Sequence, residues 1–266
     1  MAILTISRQH GSSGKEIGQD IAREIGYEYI DRERLLKDIR AKGKDWEKWE
    51  KEFEEHSPTI WEKYDWSFRG FVALQQSLIL DYALNDRVLI MGRGANFLLQ
   101  DILYVLKARF EAPLEKRVDM VQNRENVDRA MAQWMIEKLD KQYDGFIRSV
   151  YNADCKARAH YDLIFDVTLQ SADMIMTSLK AALLEKDPLK TEEAIKVLRM
   201  KAAAKGVKAG ILTNPKLFIP TLDVLPSGDT IVLLGIVHNP KEHKSIEDEA
   251  RRLAGDIPVK CELHYR

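Results

Sequence analysis

The sequence holds 266 residues, of which 45% are apolar and 31% charged, and its 41 basic and 42 acidic residues leave a net charge of -1. Because basic and acidic residues are nearly equal in number, the sequence predicts no broad basic surface. We therefore expect neither nucleic acid nor a membrane as a partner, and any anion site must be local. The two cysteines, Cys155 and Cys261, lie far apart without metal-binding spacing, which argues against a disulfide framework and favours a cytoplasmic protein. The longest apolar runs have the length of a strand, well short of a membrane-spanning helix.

The first part of the chain alternates short apolar runs with helical patterns. The run "AILTIS" (2–7) is a candidate buried strand, and "KEIGQDIAREIG" (15–26) places Ile17, Ile21 and Ile25 on one helical face. Continuous apolar strands separated by helices predict a parallel sheet covered on both faces. Further strands are predicted at 27–30, 87–92, 103–110 and 162–168, and further helices at 67–84 and 113–124.

Two segments interrupt this alternation. Residues 41–66 are highly charged and rich in tryptophan, a pattern that favours a solvated helical hairpin over a dedicated binding surface. The composition shifts again near Pro188, where a linker is followed by the start of a new helix. We therefore expect two domains, 1–187 and 190–266. The elements predicted in the second domain are a helix at 191–205, a strand at 207–212, a hairpin at 221–237, a helix at 241–255 and a strand at 259–266.

The stretch "SRQHGSSGKEIG" (7–18) joins the first predicted strand to the first helix and has the features of a phosphate-binding loop. Gly11 and Gly14 let the backbone curl so that N–H groups point inward, and the helix start adds its positive dipole end. Lys15 is placed to bridge the terminal phosphates of a nucleotide. Glu16 stands where a magnesium-binding hydroxyl is usual, so it would either ligate the metal or turn away as a first-turn acid. A plain strand-to-helix turn is the alternative. We assign nucleotide binding to Gly11, Ser12, Ser13, Gly14, Lys15 and Glu16.

A second glycine turn, "MGRGAN", follows another predicted strand. The carboxyl ends of parallel strands line the ligand crevice, so Arg93 is placed to hold a phosphate or carboxylate of a second substrate, with a solvated arginine as the alternative. The helical stretch 124–152 carries Asp140, Lys141 and Arg148. These residues indicate either a salt-bridged helix surface or a mobile cationic lid over a phosphoryl-transfer site.

Taken in chain order, the motifs "ISRQHGSSGKEIG", "YEYIDRERL", "LIMGRGANFLL", "FEAPLEKRVDMV", "EKLDKQYDGFI" and "YDLIFDVT" resemble those of the cytidylate kinase-like family, a branch of the nucleoside-monophosphate kinases with the P-loop fold. The resemblance covers roughly residues 1–185 and implies an α/β domain with a five-stranded parallel sheet, flanking helices and a helical lid. It implies ATP as donor, Mg²⁺ as cofactor and a monophosphate acceptor near Asp31 and Arg93. The loop itself offers Glu16 as the candidate metal ligand, at a position where this sequence departs from the usual hydroxyl. The catalytic residues that it implies are Lys15, Arg93, Asp140, Lys141 and Arg148. Arg8 and Arg117 match further basic positions.

The C-terminal residues 190–266 are similar in pattern to a BON domain, a small α+β binding module associated with lipid or partner recognition. The hairpin "SGDTIVLLGIV", the helix "KSIEDEARRLAG" and the last strand "VKCELHYR" carry this likeness. It implies a regulatory or interaction role without a catalytic group. Binding to a protein partner and assembly into a homo-oligomer both remain open.

Two functions are therefore open. The first is ATP-dependent phosphoryl transfer to a nucleoside monophosphate or a similar small phosphate acceptor, in which Lys15 and the lid cations stabilise the transferring charge. The second is a nucleotide-binding sensor with weak catalysis that signals through its C-terminal domain. Arg93 and the lid residues favour the first function, whereas Glu16 favours the second.

Overall fold

The structure, a computed structural model, describes residues 1–43 and 65–266. The hairpin predicted in the charged segment 41–66 lies largely outside these residues and stays a prediction. The described residues form two compact units. The first unit is made of Met1–Leu36 and Asn85–Ala194, and the second of residues 37–43, residues 65–84 and Ile195–Arg266.

The first unit is built on a five-stranded sheet. Its strands are β1 (Ile3–Arg8), β2 (Glu28–Ile30), β3 (Val88–Met91), β4 (Val105–Glu111) and β5 (Leu163–Asp166). The order along the sheet is β2-β3-β1-β4-β5, and every neighbouring pair is parallel. β1 lies at the centre, with Ile6 opposite Met91 on one side and Ala108 on the other. This arrangement confirms the five-stranded parallel sheet that the sequence predicts.

Helices cover this sheet on both faces. Successive residues of a strand point to opposite faces, and all four residues of β3 are buried, so neither face is open there. Among the described residues, no helix is both long enough and apolar enough to cross a membrane. The helices that begin in the first unit include α1 (Gly14–Ile25), α2 (Arg32–Ala41), α4 (Ala95–Leu98), α5 (Leu114–Glu125), α6 (Arg129–Tyr151) and α7 (Ala172–Lys186), with short 3₁₀ turns at Arg158–His160 and Asp187–Leu189.

An apolar core fixes the direction in which α1 leaves the sheet. Ile21 of α1 and Leu179 of α7 are fully buried in one cluster with Leu4 and Phe110 of the central strands. α1 ends at Gly26, whose left-handed backbone and N–H close the last turn. Because the buried face of α1 cannot rotate without exposing this cluster, the loop between β1 and α1 is held at the carboxyl end of β1.

The second unit contains a three-stranded sheet and helices packed on it. β6 and β7 form the predicted antiparallel hairpin, and β7 pairs in parallel with β8. The hairpin, the helix that follows it and the final strand are thus confirmed. The elements are α3 (Trp66–Leu84), α8 (Glu192–Leu212), β6 (Thr221–Ser227), β7 (Thr230–Val237), α9 (Pro240–Ala254) and β8 (Val259–Tyr265).

One predicted element of this unit is wrong. The run "VKAGIL" at 207–212 is the last part of the continuous helix α8, which does not end at 205. Val207, Ile211 and Leu212 are buried in the core of the unit, so the run is apolar because the helix end is enclosed. A short apolar run has the same composition in a buried helix and in a buried strand, and periodicity alone does not separate the two.

The expected domain division at 187–190 stays a prediction. The second compact unit takes its C-terminal part from Ile195 onward, and it also contains α3, which the sequence analysis includes in the first domain. Ala73 of α3 belongs to the same buried cluster as Ala204 and Val207 of α8. The compact units and the expected domains therefore differ in the placement of this helix.

Candidate active site

The glycine loop, defined as residues 8–15, connects β1 to α1 through left-handed backbone. Gly11 has φ +79°, and a Cβ atom there would lie 2.8 Å from Val121 Cγ2, so the position requires glycine. α1 begins at Gly14, and the first N–H groups of a helix have no intrahelical partner. The side chain of Ser13, the residue before the helix, makes no capping hydrogen bond to them. Residues 8–16 and Arg124 line a cavity of about 360 Å³. A helix start at the wall of a cavity is suited to bind an anion.

Gln9 stands where the usual phosphate loop has its first glycine, and its contacts explain why a larger residue fits. Its backbone N–H donates to Phe110 O at 3.1 Å and so extends the pairing of β1 with β4. Its side-chain Oε1 accepts from the N–H of Ala112 at 2.9 Å. The side chain of Gln9 therefore points to the segment after β4, and the curl of the loop begins only beyond it.

Lys15 carries the loop's ammonium group, which is paired with two carboxylates. Its Nζ donates to Glu33 Oε1 at 2.9 Å and lies 3.7 Å from Asp31 Oδ2. The hydrogen bond to Glu33 raises the pKa of Lys15, so the group stays charged. Asp31 also accepts from the N–H of Arg34 at 3.0 Å, which fixes this carboxylate at the start of α2. The structure thus brings together Lys15 and Asp31, two of the residues that the sequence assigns to the site.

Glu16 lies on the exposed rim of the cavity. Its carboxylate is 3.9 Å from Arg124 Nη1, an opposite charge contributed by the end of α5. The hydroxyls nearest to it in sequence belong to Ser12 and Ser13, and Ser12 Oγ donates to Gln9 O at 2.8 Å. Mg²⁺ usually keeps several waters and takes one or two carboxylates together with phosphate oxygens. Glu16, Ser12 and Ser13 all line the cavity, and their carboxylate and hydroxyl oxygens are the donor types that such a site uses.

Arg93 leaves the sheet at the same edge as the glycine loop. The N–H of Gly92 donates to Ile6 O at 2.8 Å, so the end of β3 is joined to the end of β1. A Cβ atom on Gly92 would lie 3.5 Å from Arg8 Nη1, which places that guanidinium beside the Arg93 turn. Gly92, Arg93 and Gly94 all have positive φ, and the arginine is held in this uncommon conformation between two glycines.

Asp140, on α6, contacts the glycine loop directly. Its Oδ1 accepts from the N–H of His10 at 3.2 Å, and its Oδ2 accepts from Arg117 Nη1 at 2.7 Å. Lys141 and Arg148 lie on the same helix and are exposed, and Arg148 pairs with Asp144 one turn away at 3.0 Å. Of the three expected lid residues, the structure brings Asp140 to the loop and pairs Arg148 within its own helix.

Three residues of this site received no role from the sequence: His10, Glu33 and Arg124. Arg117 matches a further basic position of the family without a defined role. Burial lowers the pKa of His10, and the nearby Arg124 guanidinium lowers it further. Arg117 is only 6% exposed. The sequence does contain a signal that Arg117 is buried. Leu114, Val118 and Val121 form an apolar helical face, and Arg117, three residues after Leu114, lies on that same face. A charged residue on a buried face indicates a buried partner.

Comparison with known proteins finds similarity over the N-terminal part of the chain. The sequence model of the cytidylate kinase-like family matches residues 3–169. A cytidylate kinase from Methanopyrus kandleri is 26% identical over 197 residues, which cover 72% of this chain and 96% of that protein. An uncharacterized protein from Eubacterium ventriosum is similar in structure, with a TM-score of 0.54, 20% identity and coverage of 69% of this chain and 98% of that one. Shikimate kinase from Bacteroides thetaiotaomicron gives a TM-score of 0.41 at 15% identity, over 69% of this chain and 98% of that one.

The family match extends over more than half of the chain and includes β1, the glycine loop, the Arg93 turn and α6. It ends shortly after β5, so it covers the complete five-stranded sheet and none of the second sheet. The residues that line the cavity at the glycine loop all fall within it. The chain belongs to the cytidylate kinase-like family.

Proposed function

We propose that this protein transfers a phosphoryl group from ATP to a nucleoside monophosphate or a similar small phosphate acceptor. The observation that supports this proposal most is the glycine loop, which ends in Lys15 at the start of α1 and borders a cavity of about 360 Å³. Arg93 follows the neighbouring strand at the same sheet edge. Two cationic turns at one edge suit a reaction in which a phosphate is passed between two phosphorylated substrates.

The glycine loop is the donor site in this proposal. The N–H groups at the start of α1 hold the phosphate oxygens of the donor, and Lys15 neutralises the charge that spreads over the transferring group. Lys15 must exchange its hydrogen bond with Glu33 for one with phosphate. Mg²⁺, when bound, supplies further charge neutralisation and orients the phosphates, and Glu16 with Ser12 and Ser13 are the residues that would hold it.

The Arg93 turn is the acceptor site. The guanidinium of Arg93 forms two parallel hydrogen bonds with a phosphate group and so fixes the attacking oxygen in line. Asp31 directly follows β2, the strand next to β3, and its Oδ2 lies 3.7 Å from Lys15 Nζ. In this proposal its carboxylate accepts hydrogen bonds from hydroxyl or amino groups of the acceptor. Lys141 and Arg148 belong to the proposed lid, whose closure brings cations to the transferring phosphate and excludes water.

An ADP-release assay with CMP, dCMP, UMP, AMP and GMP as acceptors tests this function. We expect release that depends on one of these acceptors, and we expect Lys15→Ala to lower it by about 100-fold or more. Lys180→Ala is the matched control, because Lys180 is also an exposed lysine of this unit paired with a glutamate, Glu24, away from the cavity. Equal activity in both variants would show that the activity does not arise at the glycine loop.

A nucleotide-binding sensor is the second candidate, and Glu16 is the observation that favours it. A carboxylate paired with Arg124 in place of a metal-binding hydroxyl lowers the expected rate of transfer while leaving the N–H groups of the loop in place. In this case the C-terminal residues 190–266 act as a BON-like module that passes nucleotide occupancy to a partner. The α-β-β-α-β order of α8, β6, β7, α9 and β8 is compatible with such a module.

Calorimetry and the ADP-release assay together separate the two candidates. A sensor binds ATP or ADP at the glycine loop but shows no acceptor-dependent release of ADP above the background of Lys15→Ala. An enzyme shows both binding and release. A protein that binds neither nucleotide contradicts both candidates.

A further inference from the structure

The buried Arg117 joins three separate segments of the first unit. Its Nε donates to Ala112 O at 3.1 Å, which ties it to the end of β4. Its Nη1 donates to His10 O at 3.1 Å and to Asp140 Oδ2 at 2.7 Å. Arg117 is 6% exposed, so these hydrogen bonds form largely out of contact with water, where loss of one partner is costly.

Asp140 completes this arrangement from the opposite side of His10. Its second oxygen, Oδ1, accepts from the N–H of His10 at 3.2 Å. Both backbone polar groups of His10 are therefore held by charged side chains, the C=O by Arg117 and the N–H by Asp140. His10 directly precedes Gly11, the first residue of the loop with positive φ. The contacts fix the peptide planes at the point where the chain turns from strand to loop.

The same two helices also support the loop by packing. A Cβ atom on Gly11 would lie 3.2 Å from the backbone O of Arg117 and 2.8 Å from Val121 Cγ2, so the loop lies directly on α5. Asp140 belongs to α6, which packs on α5 through a cluster of buried residues that includes Val118, Val121 and Ile136. A displacement of α6 would therefore withdraw Asp140 from His10 while α5 keeps its contact with Gly11.

We propose that Arg117 and Asp140 are positioning residues that hold the glycine loop in its phosphate-binding shape before any ligand arrives, and that Asp140 makes this order depend on the position of α6. This role rests on the proposed function only in that the glycine loop is taken as the phosphate site. Neither residue contacts the phosphate. The carboxylate of Asp140 thus orders the loop, whereas Lys15 neutralises the charge of the transferring phosphoryl group.

Hydrogen exchange on the protein without ligand tests the proposal independently of activity. In Asp140→Asn, the neutral amide keeps the size of the side chain but weakens both charged hydrogen bonds. We expect the amides of the segment 10–14 to exchange about ten times faster than in the wild type, with little change in β3 and β5. Arg117→Lys, which keeps the charge but loses the fork geometry, should show the same local effect.

Arg129→Gln is the matched control for a general effect of the two helices. Arg129 of α6 pairs with Asp119 of α5 at 2.8 Å and also with Glu115, so it ties α6 to α5 on the exposed side without contacting the loop. We expect the loop to exchange at the wild-type rate in this variant. The proposal would be overturned if the amides of residues 10–14 exchanged at rates within a factor of two in Asp140→Asn and Arg129→Gln. It would also be overturned if Asp140→Asn raised the exchange rate uniformly across the whole first unit.

The affinity for ADP gives the second measurement. We expect Asp140→Asn to bind ADP about ten times more weakly than the wild type, whereas Arg129→Gln binds it within a factor of two. If wild-type protein does not bind ADP, the proposed function fails while the exchange result still decides whether the loop is held by Asp140. If wild type binds and Asp140→Asn binds equally well, the positioning role fails while the proposed function stands.

Discussion

Replacing Glu33 by glutamine should strengthen the binding of ADP, because Glu33 and a phosphate compete for the same ammonium group. Lys15 Nζ donates to Glu33 Oε1 at 2.9 Å. A phosphate that takes Lys15 must first displace this carboxylate, and the neutral amide of a glutamine holds the ammonium less tightly. The variant therefore removes a competitor without altering the loop itself.

The size of this gain follows from the exposure of the pair. The side chains of Lys15 and Glu33 are 38% and 74% exposed, and ion pairs of this kind contribute about 0.2–1 kcal/mol. This range corresponds to an increase in affinity of about 1.4-fold to fivefold. Asp31 Oδ2 stays 3.7 Å from the ammonium in the variant, so the gain should not exceed the upper value.

Calorimetric titration with ADP measures the effect. Glu28→Gln is the control, since Glu28 pairs with Arg34 at 3.3 Å and has no contact with Lys15 among the described residues. The control should bind ADP as the wild type does. Weaker binding in Glu33→Gln would refute the reasoning, because it would mean that Glu33 orients Lys15 toward the ligand.

Three further predictions concern stability. Gly11→Ala should lower the free energy of unfolding by about 2–4 kcal/mol in urea titrations, since its φ of +79° is strained for alanine and the Cβ meets Val121 Cγ2 at 2.8 Å. In the control Gly26→Ala, φ is +68° but no atom lies within 4 Å of the added Cβ, so the free energy of unfolding should fall by only about 1 kcal/mol. Gly206→Ala should stabilise α8 by about 0.5–1 kcal/mol through helix propensity, because its Cβ meets only Ser77 Oγ at 3.8 Å. Gly210→Ala should destabilise the protein by about 1–2 kcal/mol, because its Cβ would lie 2.6 Å from Leu253 Cδ1. A lower melting temperature for Gly206→Ala, or a higher one for Gly210→Ala, would contradict this account. Burial lowers the pKa of His10 below 6.5, so the unfolded chain binds a proton more readily and stability should fall as the pH drops below about 6.5. His10→Gln should flatten this dependence when melting temperatures are compared at neutral and mildly acid pH.

The architecture of the first unit could be predicted from the sequence because its strands are continuous apolar runs. Every residue of β3 is buried, so the run "VLIM" has no polar position and indicates a strand covered on both faces. The same reasoning failed at 207–212, where burial of Val207, Ala209, Ile211 and Leu212 in the core makes most of a helix end apolar. Gly206 and Gly210 also weaken the helical signal there, although each fits the packing around α8.

The local part of the candidate site could be predicted, whereas its long-range contacts could not. The backbone of the glycine loop follows from Gly11, Gly14 and the helix start, all within a few residues. The hydrogen bonds of His10 with Arg117 and with Asp140 join residues 107 and 130 positions apart. They depend on how α5 and α6 pack against the loop, which residue spacing does not encode.

The place of β1 in its sheet has a consequence for the synthesis of the chain. β1 is translated before the other strands of its sheet, yet it is the central strand, and its two neighbours begin at Val88 and Val105. An apolar strand of six residues therefore leaves the ribosome long before either pairing partner has been made. Pairings of such large sequence separation form slowly and leave strand edges exposed to other chains. Productive folding of the nascent protein thus depends on keeping Ile3–Arg8 from associating with other chains until β3 and β4 have emerged.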